Sequence, residues 1–379
     1  MYNRKTVFII GAGASWHYGY PTGEGLIRKA IEKSALAAKL FQQASPQDLP
    51  KFVRNRPDKR QILSRQDTRN AYLEALDECQ LLNEKLTQLN PLVIDYFLGH
   101  NKSLWDVGRF IIAWVLLESE ADYNDHAINP NRLDLPKSSQ KYKHDDDWYR
   151  FLLHRLTFDL KDSKQLLRNN VHFITFNYDT SLDHHLDRSL HKIEDLAKED
   201  VDEFLADRII HVYGSLRSSS VQSTNLLDLS FQAHFESPDK IHQNWPAIKS
   251  ALDMIYDASS GLKVIDPHNK ADNETHIGRA QSLIRAAEVI YFLGFGFDPN
   301  NCARLGIENF VENNDARPEA ILFTNFHDLG RVNKDAAKAF FGAPLVGMFD
   351  LPKYERRFDK SKRDVYDAFA LDFGSPEQG

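Results

Sequence analysis

At 379 residues, 42% of them hydrophobic and 27% charged, the chain is long enough for one large or two intimate domains and too apolar for wholesale disorder. Its net charge of −7 leaves no overall basic footprint, and the run Arg54, Arg56, Lys59, Arg60 and Arg65 reads as a solvated face, so no direct nucleic-acid binding is expected. Two cysteines, Cys79 and Cys302, cannot build a four-cysteine zinc site, and no metal is expected.

Residues 1–5 run into an apolar stretch, Thr6-Val7-Phe8-Ile9-Ile10, without a signal segment. The longest candidate for a membrane span, residues 110–117, is too short, so a cytoplasmic protein without membrane contact is expected. Thr6 to Ile10 read as a strand buried on both faces. Gly11-Ala12-Gly13-Ala14-Ser15 follow, a turn in which the glycines allow a close approach of backbone to a ligand. A helix entered from that turn would point free amides and the positive end of its dipole at a pyrophosphate. The third glycine of a dinucleotide fingerprint falls on Trp16, and a tight turn with no ligand is the competing reading.

Residues 18–26, rich in Gly and Pro, read as a loop over that turn. Leu26, Ile27, Ala30, Ile31, Leu36, Leu40 and Phe41 then recur at helical spacing. Two further helical stripes follow, Tyr72-Leu73-Leu76-Leu81 and Leu104-Val107-Phe110-Ile111-Trp114-Leu117, both assigned to core. Residues 122–147 read as a long polar loop, its aspartates Asp145 to Asp147 solvated. Strands are expected at 171–176 and 208–213, with shorter apolar runs at 262–265, 289–293 and 320–324 and a helix at 277–287. The expected fold is therefore α/β: a Rossmann-like parallel sheet of about six strands with a large helical insertion after the first strand-helix unit. The expected domains are 1–30 with 166–350 for the sheet, 31–165 for the helical insertion, and 351–379 for a C-terminal tail, either a terminal helix or an arm.

Ligands of open parallel sheets bind beyond the carboxyl ends of the strands. Small, polar or titratable residues gather there from four strands: the glycine turn, Asn177-Tyr178-Asp179-Thr180, Gly214-Ser215, and Gly294 to Pro299. Asp179 also suits a helix N-cap. The order and spacing of Gly-Ala-Gly-Ala-Ser, the Gly-Tyr-Pro loop, Thr175-Phe176-Asn177-Tyr178-Asp179 and His211 to Ser215 resemble the successive signatures of sirtuins. The likeness is to the sirtuin-like domains of bacterial antiphage defence proteins, and it extends to residues 94–98 and 293–299, spanning residues 5–330 overall.

That resemblance implies a domain that binds NAD as substrate and breaks its nicotinamide–ribose bond. Gly11, Ala12, Gly13 and Ser15 would cradle the pyrophosphate. Asn177 would orient the ribose or the attacking water, Asp179 would engage the carboxamide, and His211 would be the base. Tyr213, Gly214, Ser215, Gly294 and Asn325 complete the implied binding residues, the glycines, Ser215 and Asn325 along the adenosine half. The chemistry suits these residue types, because the leaving nicotinamide is neutral and needs no acid, and the transition state is oxocarbenium-like.

Two departures matter. Deacylating sirtuins carry a four-cysteine zinc module, which this chain cannot supply, so free NAD hydrolysis is favoured over deacylation. The family's base stands immediately before the glycine, where this chain has Tyr213. His211 lies two residues upstream, on the same face of the strand but displaced by about 7 Å. Either His211 serves as base through a local shift, which is the reading adopted, or the base is lost. The resemblance further implies a toxic effector that depletes NAD, a homo-oligomer, and a separate partner such as a hexameric HerA-type ATPase, with the insertion supplying subunit contacts or a lid. The rival reading is a regulatory module that binds NAD or ADP-ribose without turnover.

Overall fold

The computed structural model describes residues 1–43, 50–54, 65–128, 147–158, 160–216, 238–263, 274–308, 318–326, 329–342 and 358–361, together with 310, 365 and 368. In chain order these form β1 (Thr6–Ile10), α1 (Gly23–Gln43), α2 (Lys51–Arg54), α3 (Arg65–Leu89), α4 (Ile94–Gly99), α5 (Trp105–Ile128), α6 (Trp148–Thr157), β2 (Val171–Thr175), α7 (Ser181–Leu190), α8 (Lys198–Leu205) and β3 (Ile209–His211). There follow α9 (Pro238–Gln243), α10 (Trp245–Ser259), α11 (Glu274–Ala286), β4 (Val289–Leu293), α12 (Pro299–Leu305), β5 (Ala320–Thr324), α13 (Gly330–Phe341) and β6 (Phe358–Ser361). The chain divides into two compact units, one of Met1–Tyr18, Gln140–Val212 and Ala271–Gly379, the other of Gly19–Ser139 and Tyr213–Lys270.

The first unit is α/β with an all-parallel sheet, the class expected. Its strands run in the order β3-β2-β1-β4-β5, and β6 pairs parallel beside β5. Every residue of β1 is buried, because β2 and β4 flank it in register. Phe8 stacks on Phe173 of β2 at 5.3 Å and on Tyr291 of β4 at 4.7 Å, an aromatic ladder through the sheet's centre. The chain builds outward from β1 through β2 and β3, then returns to the other side of β1 with β4. The sheet's topological switch point therefore lies between β1 and β4, consistent with a Rossmann-like winding.

The boundaries differ from those expected in four places, the first being residues 19–30, expected with the sheet but grouped with the helical unit. Residues 147–158, assigned to the insertion, belong to the sheet unit, because α6 is tied into it by buried hydrogen bonds described below. Residues 213–270 go instead with the helical unit. Within the expected tail, Phe358–Ser361 is a strand. The expected strand at 262–265 is represented only by an isolated bridge of Leu262 to Gly214, and residues 264 and 265 lie outside the described part.

The second unit is helical. α1 and α3 lie along each other through small buried side chains, Ala30, Ser34 and Ala37 on one and Ala71, Ala75 and Cys79 on the other. This shifts the buried face of α3 by about one residue from the expected stripe. Tyr72 is buried, but Leu73 and Leu81 are 46% and 39% exposed, and Leu82 and Leu86 take their place. Hydrophobicity marks the large residues, whereas close helix packing selects the small ones. The stripe from Leu104 to Leu117 on α5 is buried as expected, with Phe110 stacked on Phe52 at 4.4 Å. The helix also runs past Asp122 to Ile128, so the expected loop begins later, and residues 129–146, which include Asp145 and Asp146, lie outside the described part. Residues 23–26, expected in a loop, form the first turn of α1, where amides lack intrahelical partners in any case and Gly23 and Gly25 cost little. Of the basic run, residues 55–64 lie outside the described part. Among the described residues no helix is long and apolar enough to cross a membrane.

Candidate functional site

All five central strands are parallel, so their carboxyl ends share one edge of the first unit. At the switch point the turn after β1 meets the turn after β4. The Gly11 amide continues the ladder to the Leu293 carbonyl at 2.9 Å, and the Gly13 amide donates to the Gly294 carbonyl at 3.1 Å. A Cβ on Gly11 would stand 2.5 Å from the Gly294 oxygen, and one on Gly13 would stand 2.9 Å from the Gly294 Cα. Gly294 itself is left-handed, φ +59°, and its Cβ would fall 2.1 Å from the Ala14 nitrogen. These glycines are required because two backbones touch.

The turn does not enter a long helix. It closes two short 3-10 turns, Ala12–Ala14 and Trp16–Tyr18, in which the Ala14 amide donates to Gly11 and the Ser15 amide to Ala12. Three of the four amides of the expected phosphate cradle, those of Gly11, Gly13 and Ser15, thus already have acceptors within the protein, as does that of Ala14 between them. The helix-dipole argument made from the sequence does not apply to this turn. A Trp148 indole N–H from α6 caps the Ala14 carbonyl at 2.9 Å and anchors the turn from below.

The side chains beside this junction form a connected polar cluster. Asn177, 8% exposed, follows β2, and its Nδ2 donates to the Gly11 carbonyl at 3.2 Å and to Ser15 Oγ at 2.8 Å. The carbonyl can only accept, which fixes the amide's orientation. Among the described residues Asn177 Oδ1 is consequently left buried without a hydrogen-bond partner. Ser15 passes its own hydroxyl hydrogen to Asp179. Asp179 Oδ1 also accepts from the Ser181 hydroxyl and, at 3.2 Å, from the Ser181 amide. Tyr149 Oη shares a 2.7 Å hydrogen bond with Ser181 Oγ, and its ring stacks on Tyr18 at 4.2 Å. Burial pushes the Asp179 carboxyl's pKa up, against the hydrogen bonds from Ser181 and Ser15 and the nearby His211. The bond to the Ser181 amide is an Asx turn at the start of α7, so part of the capping role weighed for Asp179 is present.

His211 ends β3 with a side chain 11% exposed. Its Nδ1 lies 3.2 Å from the Asn177 carbonyl oxygen, and its Nε2 lies 3.1 Å and 3.2 Å from the two carboxylate oxygens of Asp183 on α7. Burial is the largest single influence and disfavours the charged ring. The charge and hydrogen bond of Asp183, the Asn177 carbonyl and Asp179 outweigh it together, and the pKa is raised. His211 was expected as the base, but both of its ring nitrogens face acceptors.

The remaining expected residues divide. Asn325, after β5, donates to the Leu329 carbonyl at 3.1 Å and to Asn333 Oδ1 at 2.9 Å and accepts from the Leu329 amide at 3.0 Å, so it organises the entry to α13. Phe295 and Phe297, beside Gly294, are core aromatics packed with Phe292, 4% and 1% exposed. Tyr213, Gly214 and Ser215 belong to the second unit. There Gly214 is left-handed, and its Cβ would meet the Gly261 oxygen at 2.2 Å. Asp183, Ser181 and Tyr149 were missed by sequence reasoning. Asp183 had a signal, since it stands four residues after Asp179 in the first turn of the following helix. Tyr149 had none, because its helix is separated from β2 by the 13 residues 158–170 and from the glycine turn by the whole of 16–147.

Among the described residues no group of three or more His, Cys, Asp or Glu is gathered as metal ligands, and Cys79 and Cys302 are both buried. No family model, curated protein or solved structure matches the chain.

Proposed function

We propose that the carboxyl edge of the sheet unit, taken as a Rossmann-like nucleotide site, binds NAD and hydrolyses its nicotinamide–ribose bond to give nicotinamide and ADP-ribose. The observation that carries this reading is the buried, unpartnered Asn177 Oδ1, held in place by two hydrogen bonds from the other end of the same amide. A buried acceptor without a donor costs about 1–3 kcal/mol, and a ligand that brings a hydroxyl or amide N–H recovers it. A ribose hydroxyl, a carboxamide or an attacking water each supplies one.

In this reading Asn177 orients the sugar or the water, and Asp179, held by Ser15 and Ser181, fixes the far wall of the cluster. The leaving nicotinamide departs neutral, water captures the oxocarbenium-like carbon, and its proton goes to solvent. Such a reaction is limited by orientation and water placement more than by base strength, so it does not need a neutral His211. The resemblance noted in the sequence adds the setting: a cytoplasmic effector of antiphage defence that depletes NAD, working as a homo-oligomer with a partner such as a hexameric HerA-type ATPase.

A second reading is favoured by one observation. With His211 ion-paired and Tyr213 in the family's base position, the site would hold NAD or ADP-ribose as a regulatory module without turnover. Free nicotinamide, measured after incubating the purified chain with NAD, alone and with its partner, separates the two. Asn177→Ala is expected to lower release about 100-fold or more with the fold intact. ADP-ribose binding with no nicotinamide under any condition would establish the module instead.

A further inference from the structure

We propose that His211 is a fixed imidazolium that positions Asn177, clamped from behind by Asp183, and that it is not a general base. Its consequence for turnover rests on the NAD-cleaving reading, whereas the state of the ring stands independently of it.

A neutral imidazole has a single N–H and one bare lone pair. Both atoms that face the ring nitrogens of His211, the Asn177 carbonyl oxygen at 3.2 Å and the Asp183 carboxylate at 3.1 Å, can only accept. Either neutral tautomer would press a nitrogen lone pair against an oxygen lone pair in a nearly water-free place. The imidazolium alone satisfies both contacts, and the carboxylate supplies its counter-charge.

The charged groups around the ring agree. α7 contributes Asp183, and the loop after β2 contributes Asp179. α7 also carries His184, whose pKa burial lowers, so it stays neutral and does not compete for Asp183. α11, which packs on β3, carries Arg279, but that guanidinium is bound to Asp207 on the residue pair before the strand. Among the described residues no cation is thus set against the His211 ring.

The geometry then shows what the proton is for. The Nδ1–H holds the main-chain carbonyl of Asn177, while the Asn177 side chain reaches the opposite way to Gly11 and Ser15. Backbone and side chain of one residue are fixed from two strands, β3 and β1, and Oδ1 is left aimed with little freedom. His211 touches no reacting atom in this arrangement. It is a positioning residue, and Asp183 positions it in turn.

The test uses the full chain with histidine labelled by nitrogen-15, and the signals of His211 are assigned by their absence from His211→Gln. Near neutral pH both ring nitrogens are expected in the protonated range, with a titration midpoint above the ordinary value of about 6.5. Asp183→Asn is expected to move that midpoint down, and it serves as the assigning variant if His211→Gln does not fold. One bare nitrogen in the wild type near neutral pH overturns the proposal. Nicotinamide release is expected to fall as pH rises through the His211 midpoint, and to drop about tenfold or more in Asp183→Asn, chiefly in kcat. A rate that instead rises through that midpoint makes His211 a base and overturns the proposal. If the wild type releases no nicotinamide at any pH, the NAD-cleaving reading fails, and the ring spectrum alone then decides this one.

Discussion

At the turn after β1 the chain meets the turn after β4 backbone to backbone, whereas the turn after β2 meets β3 and α7 through side chains. In the first region the amides of Gly11, Gly13 and Ser15, which an incoming phosphate would use, are already bonded, and the glycines are there because Gly294 leaves no room for a Cβ. In the second region the side chains bond each other in series, yet one acceptor, Asn177 Oδ1, is left over. The two regions lie side by side and share Gly11, whose carbonyl takes the Asn177 amide. The contrast teaches that a glycine signature can report the packing of two turns, while the unfilled hydrogen bond beside it is what supports the proposed site.

Breaking the first region should cost most. Gly294→Ala combines a left-handed backbone with a 2.1 Å clash against main chain, and a loss of about 3 kcal/mol or more in denaturant unfolding is expected. Gly296→Ala, two residues on, meets open space and should stay within about 0.5 kcal/mol, so that equal losses would refute the packing account.

The second region should behave in the opposite way, losing function before stability. Asn177→Ala removes two donated hydrogen bonds and also the orphaned oxygen, so a stability change of only about 1 kcal/mol is expected beside the loss of nicotinamide release. A stability loss as large as that of Gly294→Ala would make Asn177 part of the framework.

The His211–Asp183 pair should show itself through pH. A raised histidine pKa gives stability that is fully present below about 6.5 and is lost as pH rises through the folded value. Asp183 is a third exposed, so solvent screens the pair, and Asp183→Asn is expected to cost about 1–2 kcal/mol on the acid side and nothing on the alkaline side. His172, at the opposite end of β2, has the contrary sign. Burial, with Arg208 and Arg279 nearby, lowers its pKa to about 4, so its contribution is present above about 6.5 and is lost as pH falls toward 4. Replacing His172 with Gln should flatten the acid side of the Tm profile by a small amount, and an unchanged profile would refute that assignment.

The five central strands, the helix stripe of α5 and the gathering of Gly11, Ser15, Asn177, Asp179 and His211 at one edge were legible in the sequence, because uninterrupted apolar runs and strand-end polar residues follow from local chemistry. The buried face of α3 was not, since Ala71, Ala75 and Cys79 are chosen by how closely α1 approaches. Nor was the place of α6, which joins the sheet unit through Trp148 and Tyr149 from a distant stretch of chain.

The sequence by itself determined the parallel α/β class and which residue types stand at the strand ends. Only the tertiary structure decided what those residues do there. It set Gly13 against Gly294 and used the amides of Gly11, Gly13 and Ser15 within the protein. It brought Asp183 to His211 and so raised the ring's pKa, and among the described residues it left Asn177 Oδ1 unmatched. The physical reason is that a strand's burial is decided by its own run of side chains. The charge of an imidazole and the vacancy of an amide oxygen are decided by atoms that arrive from elsewhere in the chain.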